Sequence, residues 1–317
     1  MPRVPARVRL IRTHVDRFLR ALHGVERGDA KSLHRARVAT RRLREIVPVL
    51  QLDGPTAHKL SRRLRSVTAR LGAVREHDVL LQLVDELHDA RRAPGDALAR
   101  VGMAVSRDRD AARERLSARM PIDDMRRLAR KLRSVGDDLE ADDTKRSRAL
   151  RWALDARVAR RASRLAEALR DAGSVYLPER LHAARIAVKK LRYVLEVVSE
   201  VVGAPVHADT AVLRRAQDAL GRMHDLQVLI DRVRSVQATL APPSVTVWRA
   251  LDTLIRVLDD ECRRLHARYM KLRPELESLA GRLSGTGHRL EGDALRPRTS
   301  KHAKSAARNA EPDRAVS

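Results

Sequence analysis

Apolar positions recur every three or four residues along nearly the whole chain, with Ala, Leu and Arg between them, and no stretch alternates convincingly at period two. This pattern predicts an all-helical protein. A first helix is expected over about 5–24, ending near Gly24 and Gly28, and Asp29 is placed to cap a second over about 30–51, which Pro48 should kink or end. After Asp53-Gly54-Pro55 a third helix runs to Leu71-Gly72, a fourth covers about 74–92, and Pro94-Gly95 precedes a fifth over about 96–119. Pro121 opens a short sixth. The acidic segment Gly136 to Asp143 reads as a connector, followed by a helix over about 145–172 and another opened by Pro178. Pro274 is expected to open a terminal helix. From about Ser284 apolar periodicity stops, and the tail is expected to be disordered.

Two of these segments are nearly the same. Leu33 to Arg44, LHRARVATRRLR, returns 148 positions later as Leu181 to Arg192, LHAARIAVKKLR. With His34 set at 0° on a helical projection, Arg37, Arg41 and Arg44 fall at about 300°, 340° and 280°, forming one basic stripe about 15 Å long. Leu33, Ala36, Ala39, Leu43, Ile46, Val47 and Leu50 lie on a separate apolar face. The second copy repeats the arrangement, with His182, Arg185, Lys189 and Arg192 on the stripe and Leu181, Ala184, Ala187, Leu191 and Leu195 on the apolar face. Arg42 and Lys190 fit the repeated pattern but flank their stripes at about 80°. A single run of arginines is usually a solvated face, and a basic amphipathic helix also suits a membrane surface or a partner helix. Repetition of the histidine with its three cations favours a shared extended anion, and the Ala-rich apolar face favours packing within the protein.

A second mark repeats at almost the same offset. Leu71 to Leu81, LGAVREHDVLL, matches Leu220 to Ile230, LGRMHDLQVLI, 149 positions on, with Glu76 opposite Asp225. Pro121 and Pro274 are 153 apart. An internal duplication is therefore expected: residues 1–140 and 141–283 as two helical repeats of about six helices each, with 284–317 as a basic tail. Symmetry would bring both stripes to one central groove or pore.

Composition narrows the partners. Lys and Arg outnumber Asp and Glu 66 to 41, for a net charge of +25, shared as +13 over 1–140 (32 against 19) and +12 over the remainder (34 against 22). That balance predicts a polyanionic partner: polyphosphate, nucleic acid or anionic lipid. Aromatic residues are only Phe18, Trp152, Tyr176, Tyr193, Trp248 and Tyr269, too few for a platform on which bases stack. One cysteine, Cys262, excludes an intramolecular disulfide and a cysteine-cluster metal site. Absence of a long apolar run or a signal-type start leads to the expectation of a cytoplasmic protein with no membrane span.

The motif segments resemble those of the CHAD family, the conserved histidine α-helical domains, in Leu33-His34, Arg37-Val38-Ala39 and Arg41 to Arg44. The resemblance extends to Leu181-His182, Arg185-Ile186-Ala187, Lys189 to Tyr193 and Glu196, and to the two Leu-Gly segments. It spans about residues 5–284 and implies two pseudo-symmetric helical bundles whose basic inner surface binds inorganic polyphosphate, in some members at polyphosphate granules. Carried onto matching positions, the implied ligands are His34, Arg37, Arg41, Arg44, His182, Arg185, Lys189 and Arg192, flanked by Arg42 and Lys190. Glu45 and Pro48 stand where the second copy has Tyr193 and Glu196, so the expected site is not fully symmetric. Guanidinium offers paired donors to phosphate, lysine a point charge and imidazole a titratable donor. Arg157, Arg161 and Arg164 either widen this groove or face solvent.

No Walker A loop, HExxH, GxSxG or ExExK occurs, so a binding protein without cofactor is expected and not an enzyme. A metal site from His34 and His182 with Glu76 and Asp225 is opposed by the adjacent guanidiniums, and a phosphohistidine relay lacks a partner signal. The rival reading is nonspecific nucleic-acid binding through charge alone, including a tail-driven mode through Arg296, Arg298, Lys301, Lys304 and Arg308.

Overall fold

Helix starts are set by side chains that satisfy free backbone amides. Asp29 accepts from the amides of Lys31 and Ser32 at 3.2 and 2.9 Å and starts the helix at Ala30, and Asp53 accepts from Thr56 at 2.8 Å and starts the helix at Gly54. The computed structural model describes residues 5–141, 147–203, 207–240 and 244–285. Among them the chain is all-α, with no strand. The helices are α1 (Ala6–Glu26), α2 (Ala30–Ile46), α3 (Gly54–Asp89), α4 (Gly95–Arg119) and α5 (Ile122–Ala141), then α6 (Ser147–Ala172), α7 (Pro178–Val202), α8 (His207–Ala238) and α9 (Val245–Gly285). Pro48 lies in a 3-10 turn, Val47–Val49, that ends the motif helix, and the basic tail from Thr286 lies outside the described residues.

Three expectations are corrected. The segments on either side of Leu71-Gly72 form one helix, α3, in which both residues are buried. A Cβ at Gly72 would lie 3.5 Å from the Arg37 guanidinium, an ordinary contact, so this glycine is a position inside the helix beside Arg37 and does not end it. Pro274 lies inside α9, not at a helix start. It removes one amide, while Tyr269 before it and Leu276, Leu279 and Leu283 after it are buried and hold the helix together. At Pro121 the chain does break, because Met120 leaves helical geometry at φ −151°, ψ 71°. Finally, Gly136 to Ala141 continues α5 instead of forming a connector; a Cβ at Gly136 would meet Ile11 at 3.1 Å, so glycine lets α5 close on α1. Asp137 and Glu140 then accept from Arg12 at 2.8 and 2.6 Å. The described residues thus hold five helices before residue 142 and four after 146, not six and six.

In the first half α1 packs on α2, α2 on α3 and α3 on α4, with α5 laid on α1. In the second, α6 to α9 pack in the same order and α9 returns to α6. The halves meet through α2 on α7, α3 on α8, and α4 on α8 and α9. The apolar face of α2 is buried as its periodicity predicts: Leu33, Ala36, Ala39, Leu43 and Ile46 are each at most 4% exposed. In α7, Leu181, Ala184, Leu191 and Leu195 do the same. Each fully buried leucine contributes about 1.5–3 kcal/mol, which fixes the rotation of both helices and therefore the direction of their stripes.

One close approach controls the entry to α2. A Cβ on Gly24 would sit 2.1 Å from the Ser32 hydroxyl and 2.4 Å from its Cβ. Gly24→Ala is therefore expected to destabilise the protein by about 1–3 kcal/mol through overpacking, despite alanine's better helix propensity. Urea denaturation checks this; an unchanged or raised midpoint would show that α1 and α2 can part freely.

Candidate anion-binding site

With their leucines turned inward, α2 and α7 pack against one another and bring the middle of the two stripes close together. Arg37 and Arg41 from α2 come within the electrostatic reach of Arg185 and Lys189 from α7. A cleft of about 420 Å³ opens beside them between α2 and α3, lined by Arg37, Arg41, Arg44, Arg65, Gly72 and Glu76. Arg41 donates to the Tyr193 hydroxyl at 3.3 Å, so the residue that broke the symmetry of the two motifs ties one stripe to the other helix.

This cluster holds more positive charge than it can neutralise. Arg185 approaches Asp225 at 3.8 Å, whereas the Nε atoms of Arg37 and Arg185 are buried without hydrogen-bond partners among the described residues. Burial, reinforced by Arg41, pushes Arg37 down to about 10, and Lys189 falls to about 6 through burial and then the fields of Arg41, Arg185 and Arg37. Each cation would hold its proton more tightly with an anion beside it.

The histidines sit at the ends of the stripes. His182 Nδ1 lies 3.2 Å from His224 Nδ1, so one proton can be shared between the rings. Burial first, then Arg185, His182 and Lys189, depress His224 to about 4; burial followed by Arg185 and Lys189 lowers His182. His34 is lowered likewise, by partial burial and then by Arg75, Arg37 and Arg41. Arg75 and His224 occupy matching places in the two Leu-Gly segments, each beside its own motif histidine. Neither stands out in the sequence, and only its position one residue before Glu76 or Asp225 hints at this role.

Other predicted residues are drawn into internal pairs. Arg42 reaches from α2 to Glu196 and Glu200 of α7 at 2.9 and 2.8 Å, clasping the two halves. Arg192 donates to Gln217 at 2.8 Å, pairs with Glu196, and lies 4.9 Å over the Tyr193 ring. Arg44 and Lys190 lie in a neighbouring patch with Glu45, Arg161 and, beside Arg44, Arg65. There Arg157 and Arg161 grip Glu45 at 2.7 and 3.1 Å, so these two neither face solvent nor stand free in the groove, while Arg164 is exposed. Glu76 is exposed, and among the described residues no group of three or more His, Cys, Asp and Glu side chains is placed to hold a metal. No helix among them is long and apolar enough to cross a membrane.

The fold is that of an all-α protein of two packed helical sets, with Arg37 and Arg41 of one set close to Arg185 and Lys189 of the other. The chain belongs to the CHAD domain family, whose family model matches residues 9–234. The family is associated with polyphosphate. Among solved structures it is similar to PptA from Streptomyces chartreusis, at 18% identity over 84% of this chain and 97% of that one, with a TM-score of 0.59. It is also similar to the CHAD domain from the plant Ricinus communis, at 23% identity over 83% and 91%, with a TM-score of 0.55. At these identities the likeness concerns the fold. Comparison with curated proteins gives no match.

Proposed function

We propose that this chain binds inorganic polyphosphate at the crossing of α2 and α7, without catalysing its turnover. The observation that carries this is the convergence of Arg37, Arg41, Arg185 and Lys189 from two helices, with buried guanidinium nitrogens lacking partners and Lys189 pushed down to about 6. An array of cations that depress one another is stabilised most by a ligand with many linked negative charges. Polyphosphate supplies these without bases that need stacking; the nearest aromatic ring, Tyr193, is only 8% exposed and accepts from Arg41. A cytoplasmic protein associated with polyphosphate granules would meet this ligand.

Competition tests the reading. Long-chain polyphosphate should displace duplex and single-stranded nucleic acid at matched phosphate concentration and moderate salt. Equal or reversed competition would favour nonspecific nucleic-acid binding through net charge.

Binding is also expected to take up protons near neutral pH. In the free protein Lys189 at about 6, His224 at about 4 and the lowered His34 and His182 are largely neutral at pH 7.5, and phosphate favours their charged forms. Because the bound-state values lie above the free-state ones, affinity should rise as pH falls through the bound-state values. It should level off below the free-state ones, near 6 for Lys189. Calorimetry in buffers of different ionisation enthalpy measures the uptake. Lys189→Met with His34→Gln and His182→Gln should abolish most of it, while Arg-driven salt dependence persists. Zero uptake in the unaltered protein would remove these groups from the ligand's surroundings.

A further inference from the structure

Outside the crossing, a cleft lined by four arginines and no carboxylate lies between α1 and α2. It has a volume of about 480 Å³ and is lined by His14, Arg17, Arg20, His34, Arg35 and Arg42. It uses a different side of α2 from the stripe: Arg35, Val38 and Arg42 fall at about 100°, 40° and 80° in the projection that puts the stripe between 280° and 0°. Only His34 faces both.

The lining divides into held and free cations. Arg42 is occupied by Glu196 and Glu200, and Arg17 touches Glu200 loosely at 3.9 Å. Arg20 and Arg35 are exposed and make no ion pair within 4 Å among the described residues, although the field of Arg35 reaches the Asp29 carboxylate. At the back of the cleft His14 is fully buried; its Nε2 lies 2.9 Å from Glu200, and its Nδ1 has no partner among the described residues. With Nε2–H donated to Glu200, Nδ1 is a buried acceptor without a partner in a cavity rimmed by guanidiniums, a position that a ligand satisfies through a protonated oxygen or a water it brings with it. The contrast with the α8–α9 cleft is informative. There Arg215 and Arg222 are matched by Glu275 and Glu86, and Asp218 shares the lining with Arg268.

We propose that the α1–α2 cleft is a second anion site, distinct from the crossing of α2 and α7, for a compact oligophosphate. Arg17, Arg20 and Arg35 present guanidiniums to its phosphate oxygens, and Arg17 exchanges its long contact with Glu200 for the ligand. Arg42, held by two carboxylates, keeps the back of the site in place and contributes field more than contact. The volume and three available guanidiniums limit the occupant to a short anion, unlike the roughly 15 Å stripe of the crossing.

Titration of the full chain with tripolyphosphate at about 150 mM salt tests this, read by calorimetry. Two sites per chain are expected. Arg17→Ala with Arg20→Ala and Arg35→Ala should weaken one of them at least about tenfold, the loss from removing one charge-assisted contact, and leave the other intact. Arg37→Ala with Arg41→Ala and Arg185→Ala should do the reverse. A single site that the first variant leaves untouched, or two sites both untouched by it, overturns the proposal without bearing on the crossing; a single site weakened by the first variant and not by the second supports the proposal and counts against the crossing. Two sites both untouched by the second variant would count against the crossing alone. Should the triple variant fold poorly, the exposed Arg20→Glu reversal carries the same readout, and unchanged two-site binding there is equally decisive.

Discussion

Long-chain polyphosphate affinity is expected to fall on the order of 100-fold or more when Arg37, Arg41 and Arg185 are replaced by alanine and Lys189 by methionine. Each charge-assisted contact contributes about 1.5–3 kcal/mol, so either pair alone should cost roughly tenfold or more. The full effect is less than the sum, because the four cations depress one another and removing one relieves its neighbours. Helicity should persist, since none of the four belongs to the apolar core and their removal lifts repulsion. The matched control removes four exposed arginines elsewhere, Arg91, Arg92, Arg100 and Arg119, and should lower affinity only as net charge does. Equal losses in the two variants would mean that total charge, not the crossing, holds the ligand.

Glu45→Ala should destabilise the unliganded protein by about 3 kcal/mol. The Glu45, Arg157 and Arg161 side chains are 9%, 15% and 13% exposed, so removing the carboxylate leaves two largely buried guanidiniums without their counter-charge. Glu45→Gln keeps an acceptor and should cost less. Chemical denaturation measures both, and polyphosphate should recover part of the loss if this patch, which also holds Arg44 and Lys190, continues the binding surface. A loss under about 1 kcal/mol for alanine would show that water reaches these guanidiniums after all.

Periodicity is a local property, and what depends on it was legible without coordinates. The helical class, the capping aspartates, and the apolar faces through Leu43 and Leu191 follow from residues three or four apart, whose geometry does not wait for a partner. The same rule separated Arg37 and Arg41 from the core side of α2. Glycine and proline were less legible because each has several physical uses. Gly72 lies inside α3 beside Arg37, Gly136 admits Ile11, and Pro274 is carried by the packing of α9, and only the neighbouring helix distinguishes these uses from a break.

By itself, then, the sequence determined an all-α chain of the CHAD family, two basic stripes and their rotation relative to the core. It could not decide which stripe residues stay free, because a charge is claimed by whatever carboxylate the fold brings near. Arg42 and Arg192 share the motif with Arg37 and Arg185, yet Glu196 and Glu200 take the former pair in close ion pairs, while Arg37 makes none among the described residues and Arg185 only a long one, 3.8 Å to Asp225. His224 likewise became a neighbour of His182 only when α7 and α8 packed together. Helix direction follows from burying leucines, a short-range demand; charge neutralisation acts through space between segments more than a hundred residues apart, and only the tertiary structure brings those segments together.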